Sequence, residues 1–106
     1  MDDLATVVEE TIQGYAGGGF SLKTFFMINA VENAYAVLIT DVPVHKRPAG
    51  IVVFARIVGD YVVIEEDTTD RPLVDKLTAK GIPRDKIICA YAGESLPEGL
   101  ESPALP

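Results

Sequence analysis

Residues 50–66 read GIVVFARIVGDYVVIEE, two apolar, β-branched runs split by the pair Gly59-Asp60. Val, Ile, Phe and Tyr fit a pleated, half-buried surface, so both runs read as strands. A two-residue, glycine-containing link between such runs is a hairpin signal, and it makes the two strands antiparallel neighbours. The stretch Ile51-Val52-Val53-Phe54-Ala55 is apolar without alternation. That pattern predicts a central strand covered on both faces.

Upstream, residues 22–30 and 34–42 have the same composition, with polar punctuation at Glu32-Asn33 and from His45 to Pro48. Short links favour antiparallel pairing, so residues 22–66 predict a four-strand meander. Residues 3–16 have helical period: Leu4, Val7, Val8, Thr11, Ile12 and Tyr15 fall on one stripe. Asp2 and Asp3 place negative charge at its amino end, and Gly17-Gly18-Gly19 is expected to stop it.

Downstream, residues 70–80 predict a second helix. Thr68, Thr69 and Asp70 offer capping side chains, and Pro72 is tolerated in a first turn. Leu73, Val74 and Leu77 form its apolar stripe, Lys76 and Lys80 complement its carboxyl end, and Gly81 with Pro83 ends it. A fifth strand, Lys86 to Tyr91, follows. The expected fold is α+β, a mainly antiparallel sheet of about five strands with two helices packed on it. It occupies residues 1–93 as one domain, and 94–106 read as a loose acidic, Pro-rich tail.

The 106 residues suit one domain, and 48% hydrophobic with 24% charged residues is ordinary globular composition. Nine Lys and Arg against sixteen Asp and Glu leave a net charge of −7. Nucleic-acid binding needs clustered Lys and Arg on phosphates, and Lys46-Arg47 is the nearest approach to a cluster, so no direct nucleic-acid contact is expected. No stretch nears the roughly 20 apolar residues of a membrane span. The amino end lacks the pattern of a signal peptide, and one cysteine, Cys89, gives no internal disulfide. The expected location is cytoplasmic.

The acidic run Glu65-Glu66-Asp67, with Asp70, is the strongest candidate for chemistry, because clustered carboxylates hold hard cations such as Mg²⁺. Adjacent strand residues point to opposite faces, which separates Glu65 from Glu66, and turn and cap chemistry accounts for Asp67 and Asp70. A structural role is therefore preferred. A small metal-dependent enzyme built on Glu66, Asp67 and Asp70 stands as the alternative. A small-molecule-binding module with a pocket between sheet and helix is a third class. His45, the only histidine, has no nucleophile or orienting acid at recognisable spacing. Cys89 lies in an aliphatic run and reads as a buried, inert thiol. Gly17-Gly18-Gly19 follows a helix and precedes a strand, the reverse of a phosphate loop. Arg84-Asp85-Lys86 reads as a charged turn. No catalytic, cofactor-binding or metal residue is assigned.

One stretch is specific enough for comparison with a family. Tyr61-Val62-Val63-Ile64-Glu65-Glu66-Asp67-Thr68-Thr69-Asp70 leads into a helix ending Leu77-Thr78-Ala79-Lys80-Gly81-Ile82-Pro83, and Arg84-Asp85-Lys86-Ile87-Ile88-Cys89-Ala90-Tyr91 follows. This order of strand, acidic-threonine turn, helix, Gly-aliphatic-Pro-basic step and aliphatic strand resembles the XisI-like proteins of cyanobacteria. The helix ending near Gly14-Tyr15-Ala16 is similar too. The chain lacks the tryptophans common in the family's middle strands, and Tyr91-Ala92-Gly93-Glu94 replaces an aromatic-His-Pro ending, which marks a divergent branch. The resemblance implies a non-catalytic accessory protein of fdxN element excision control. It also implies an XisH-like, nuclease-related protein as partner. Separately, a small domain with apolar strands has edges to cover, so a symmetric homodimer is expected.

Overall fold

The computed structural model describes residues 3–17, 19, 21–44 and 46–97. Helix α1 (Leu4–Gln13) precedes strands β1 (Leu22–Asn29), β2 (Ala34–Asp41), β3 (Gly50–Val58) and β4 (Tyr61–Asp67). Helix α2 (Leu73–Ala79), a 3₁₀ turn at Arg84–Lys86, strand β5 (Ile87–Cys89) and a second 3₁₀ turn at Ala90–Ala92 complete it. The strands lie in chain order, β1-β2-β3-β4-β5. The first four form the expected antiparallel meander, and β5 joins β4 in parallel after the α2 crossover. The α+β fold and the five-strand, mainly antiparallel sheet are as the sequence predicts.

The β3–β4 link holds as read: Val58 pairs with Tyr61, and Gly59 supplies φ +62°, a conformation that costs glycine nothing. Three boundaries move, among them that of α2, which starts at Leu73 with Pro72 as its cap residue, outside the first turn. Asp3 caps α1 by accepting from the Thr6 amide at 2.8 Å, but the helix ends at Gln13 with Gly14 as its cap, ahead of the glycine run. Tyr15 therefore lies beyond the helix, though its ring still packs against the core. The fifth strand is three residues long, because Arg84–Lys86 and Ala90–Ala92 close into single 3₁₀ turns on either side.

Both helices cover one face of the sheet. Val8 and Ile12 of α1 and Leu73 and Leu77 of α2 pack on Val37, Val53, Ala55, Val62, Ile64 and Ile87, all at most 1% exposed. Burying a side chain of this size contributes about 1.5–3 kcal/mol, so this layer is the main source of stability. The expectation that β3 is covered on both faces is corrected: Val53 and Ala55 are fully buried, while Ile51 is 43% exposed. Among the described residues no helix lies on the other face of β1–β3.

Among the described residues no helix is long and apolar enough to cross a membrane. His45 and residues 98–106 of the tail lie outside the described residues, as do Asp2 and Gly18.

Candidate functional site

The uncovered face can be built from strand register, because paired residues share a face. One row runs Phe25, Leu38, Ile51; the next runs Met27, Ala36, Phe54, Glu66; a third runs Asn29, Ala34, Arg56, Val63, Ile88. Val63 and Ile88 are buried, so the β4–β5 end of the face is closed. The β1–β3 end is open. Phe25 is 41% and Met27 52% exposed, and Leu38 and Phe54 are half-buried beside them. Contiguous exposed apolar surface of this kind is a candidate interaction site.

Two bulges shape this surface. Val52 is the extra residue between β3 and β2, and Glu65 is the extra residue between β4 and β3. The second bulge corrects a sequence expectation. Glu65 reaches Arg56 at 2.6 Å, and Glu66 pairs with Phe54, so both glutamates stand on the open face rather than on opposite ones. They give the apolar patch a charged margin along β4, where Arg56 offsets Glu65.

The acidic turn that follows has a different job. Asp67 pairs with Val53, which places it on the helix-covered side. One of its carboxylate oxygens accepts from the Thr69 amide at 2.9 Å and the Thr69 hydroxyl at 2.6 Å; the other accepts from the Leu73 amide at 2.7 Å. Asp67 thus caps α2, six residues ahead of the amide it serves, and Thr68, Thr69 and Asp70 do not. Thr68 instead donates its hydroxyl to Val52 O at 2.9 Å, tying the turn to β3. Asp70 is exposed. The structure does not bring Glu66, Asp67 and Asp70 together, and the described residues contain no group of three His, Cys, Asp or Glu arranged to hold a metal ion.

A cleft of about 570 Å³ lies between the end of α1 and the turn before α2, lined by Tyr15, Val52, Thr69, Arg71 and Lys76. Two of its side chains, Tyr15 and Lys76, are held by contacts within the cleft. The Tyr15 hydroxyl donates to Arg71 O, and the Lys76 ammonium sits 4.1 Å from the Tyr15 ring centre. Burial pushes the Tyr15 hydroxyl up to about 12, so it stays protonated at neutral pH.

Cys89 is 5% exposed, and burial together with the nearby Glu94 carboxylate pushes its thiol above the usual range. Arg84 is held by Ile87 O at 2.7 Å and Glu94 at 2.7 Å, and Lys86 by Asp60 at 2.9 Å, so these charges serve the local frame. Glu94, at the start of the region read as tail, also accepts from the Cys89 amide at 2.8 Å. The sequence reading missed the open apolar face. Its signal is Phe25-Phe26-Met27-Ile28, where apolar side chains project to both sides of an edge strand.

The sequence model of the family described as XisI protein matches residues 2–99. No curated protein matches the chain. Two solved structures from Anabaena variabilis share the fold. A XisI-like protein is 18% identical, with a TM-score of 0.71 over 93% of this chain and 85% of that one. The fdxN element excision controlling factor XisI is 24% identical, with a TM-score of 0.61 over 84% of this chain and 93% of that one.

Proposed function

The chain belongs to the XisI protein family, and from that premise we propose that it is a non-catalytic accessory protein of DNA-element excision control that works by binding an XisH-like protein. The observation that carries this reading is the open face of β1–β3, where Phe25, Met27 and Ile51 are each more than 40% exposed beside Leu38 and Phe54. A face of this kind binds by apolar burial at its centre. The net charge of −7 favours encounter with a basic protein surface. The same charge opposes a phosphate backbone. The protein acts in this reading from the cytoplasm and needs no metal or cofactor of its own.

Co-expression with an XisH-like protein, followed by purification through a tag on the partner, tests the reading. The wild-type chain is expected to co-purify, and Ile51→Lys, which sets a charge in the centre of the patch, to be lost from the complex while keeping its fold. Duplex DNA shifted by the isolated chain, with affinity falling steeply as salt rises, would overturn it. Equal retention of wild type and Ile51→Lys would remove the open face from the argument.

A further inference from the structure

The free edge of β1 supports an inference independent of that partner. Strand order puts β1 at one margin of the sheet. The Val42 amide donates to Ser21 O at 3.0 Å, which extends the β1–β2 ladder and fixes its phase. Backbone groups of successive strand residues face opposite sides. Lys23, Phe25, Met27 and Asn29 therefore bond towards β2, and Leu22, Thr24, Phe26 and Ile28 face outwards.

The start of this outer edge is already covered. The Gly19 amide donates to Leu22 O at 3.2 Å, and the Thr24 hydroxyl accepts from the Gly17 amide at 2.7 Å and donates to Gly17 O at 3.1 Å. Among the described residues nothing covers the window Phe25–Asn29, whose outward groups are the N–H and C=O of Phe26 and Ile28. It contains no charge and no proline, and its ladder with β2 has no bulge. Met27 is 52% and Ile28 47% exposed. An apolar edge without these protections is a template for another strand.

We propose that this window pairs antiparallel with the same window of a second copy, about a two-fold axis through Met27. In that register Phe26 faces Ile28 of the second copy, and every outward N–H and C=O of both windows finds a partner. The open window is centred on Met27, so it complements itself. A shift along the strand would leave outward groups unmet or run into the Gly17–Thr24 cover. The two Met27 side chains meet on the open face, and Ile28 is covered by Phe26 of the second copy on the other.

Five paired residues make a seam about 17 Å long. Such a seam buries on the order of 1,000 Å² in total, near the lower limit for a specific interface. The two open faces then lie side by side as one surface.

Sedimentation of the full chain through a micromolar dilution series reads the association. A dimer that dissociates on dilution is expected. Ile28→Pro deletes an outward N–H and leaves the β1–β2 ladder intact, a substitution edge strands tolerate; it should weaken the dimer at least about tenfold. Met27→Cys places two thiols across the axis, with Cβ atoms about 4.5–5.5 Å apart. Oxidation should link that variant into a dimer far faster than Phe25→Cys. A protein monomeric across the series overturns the proposal. So does a dimer that Ile28→Pro leaves unweakened, or one that Ile51→Lys abolishes, which would mean that the open faces stack instead. Should circular dichroism show Ile28→Pro unfolded, the cysteine pair decides: equal cross-linking at positions 25 and 27 overturns the register. Partner binding is read on Ile51→Lys and self-pairing on Ile28→Pro and Met27→Cys, so the two readings fail separately.

Discussion

Replacing Asp67 with alanine removes three acceptor bonds at once, to the Leu73 amide, the Thr69 amide and the Thr69 hydroxyl. The Leu73 amide matters most. Leu73 is 0% exposed, so its amide depends on the carboxylate in the folded chain. A buried donor left unmet costs about 1–3 kcal/mol, and loss of a cap costs about 0.5–2 kcal/mol by itself. These describe overlapping parts of one loss, so about 2–3 kcal/mol is the expected total. Asp67→Asn keeps an oxygen for Thr69 and turns an amide towards Leu73, and should cost about 1–2 kcal/mol. Asp70→Ala, on an exposed side chain, should stay within about 0.5 kcal/mol. Urea unfolding followed by circular dichroism measures all three, with slopes unchanged if only the native state is affected. A loss below about 0.5 kcal/mol for Asp67→Ala, or an equal loss for Asp70→Ala, would refute the assignment of the cap to Asp67.

Two further outcomes follow from groups already described. The Glu94 carboxyl is held below the usual carboxylate range, chiefly by Arg84 and then by the Cys89 amide. A depressed native pKa makes the group's contribution present above the unfolded value, near pH 4, and lost as pH falls through the native value. Unfolding midpoints measured downwards from about pH 5 should therefore fall, and Glu94→Gln should make that acid limb shallower. An unchanged limb would count against the pair. At Gly81, φ is +99° and nothing stands within 4 Å of an added Cβ, so Gly81→Ala meets a purely conformational cost. It should lower stability by about 1–2 kcal/mol in the same urea assay, and a neutral result would mean that the end of α2 relaxes freely.

The parts of the fold legible in the sequence were those encoded within a few residues. Gly59-Asp60 between two apolar runs fixes a hairpin locally, and the helical stripes of α1 and α2 are visible in their own period. Features set by pairing were not legible. Glu65 and Glu66 share a face because β4 carries one more residue than β3 opposes, and a strand's own alternation holds no trace of that. Asp67 was hidden as a cap because Pro72 occupies the cap position itself and the serving carboxylate stands six residues before Leu73. The run Phe25-Phe26-Met27-Ile28 is apolar towards both layers. Only the placement of both helices on one side reveals which of those side chains remain uncovered. The family resemblance, by contrast, rested on the order of motifs in residues 61–91, which sequence shows directly.

Strands that neighbour one another in the order they are synthesised impose a sequence of events on folding. The β1–β4 ladders each close a short loop, so their entropic cost is small and they can form while later residues are still emerging. Helix α1 is made first and yet has the longest wait. Val8 and Ile12 share their core with Leu73 and Leu77, some sixty residues on, so the first helix completes its packing only after the last one exists. Until then the part of the sheet that α2 covers stays exposed along with the open face, the period in which a chaperone would have most to hold.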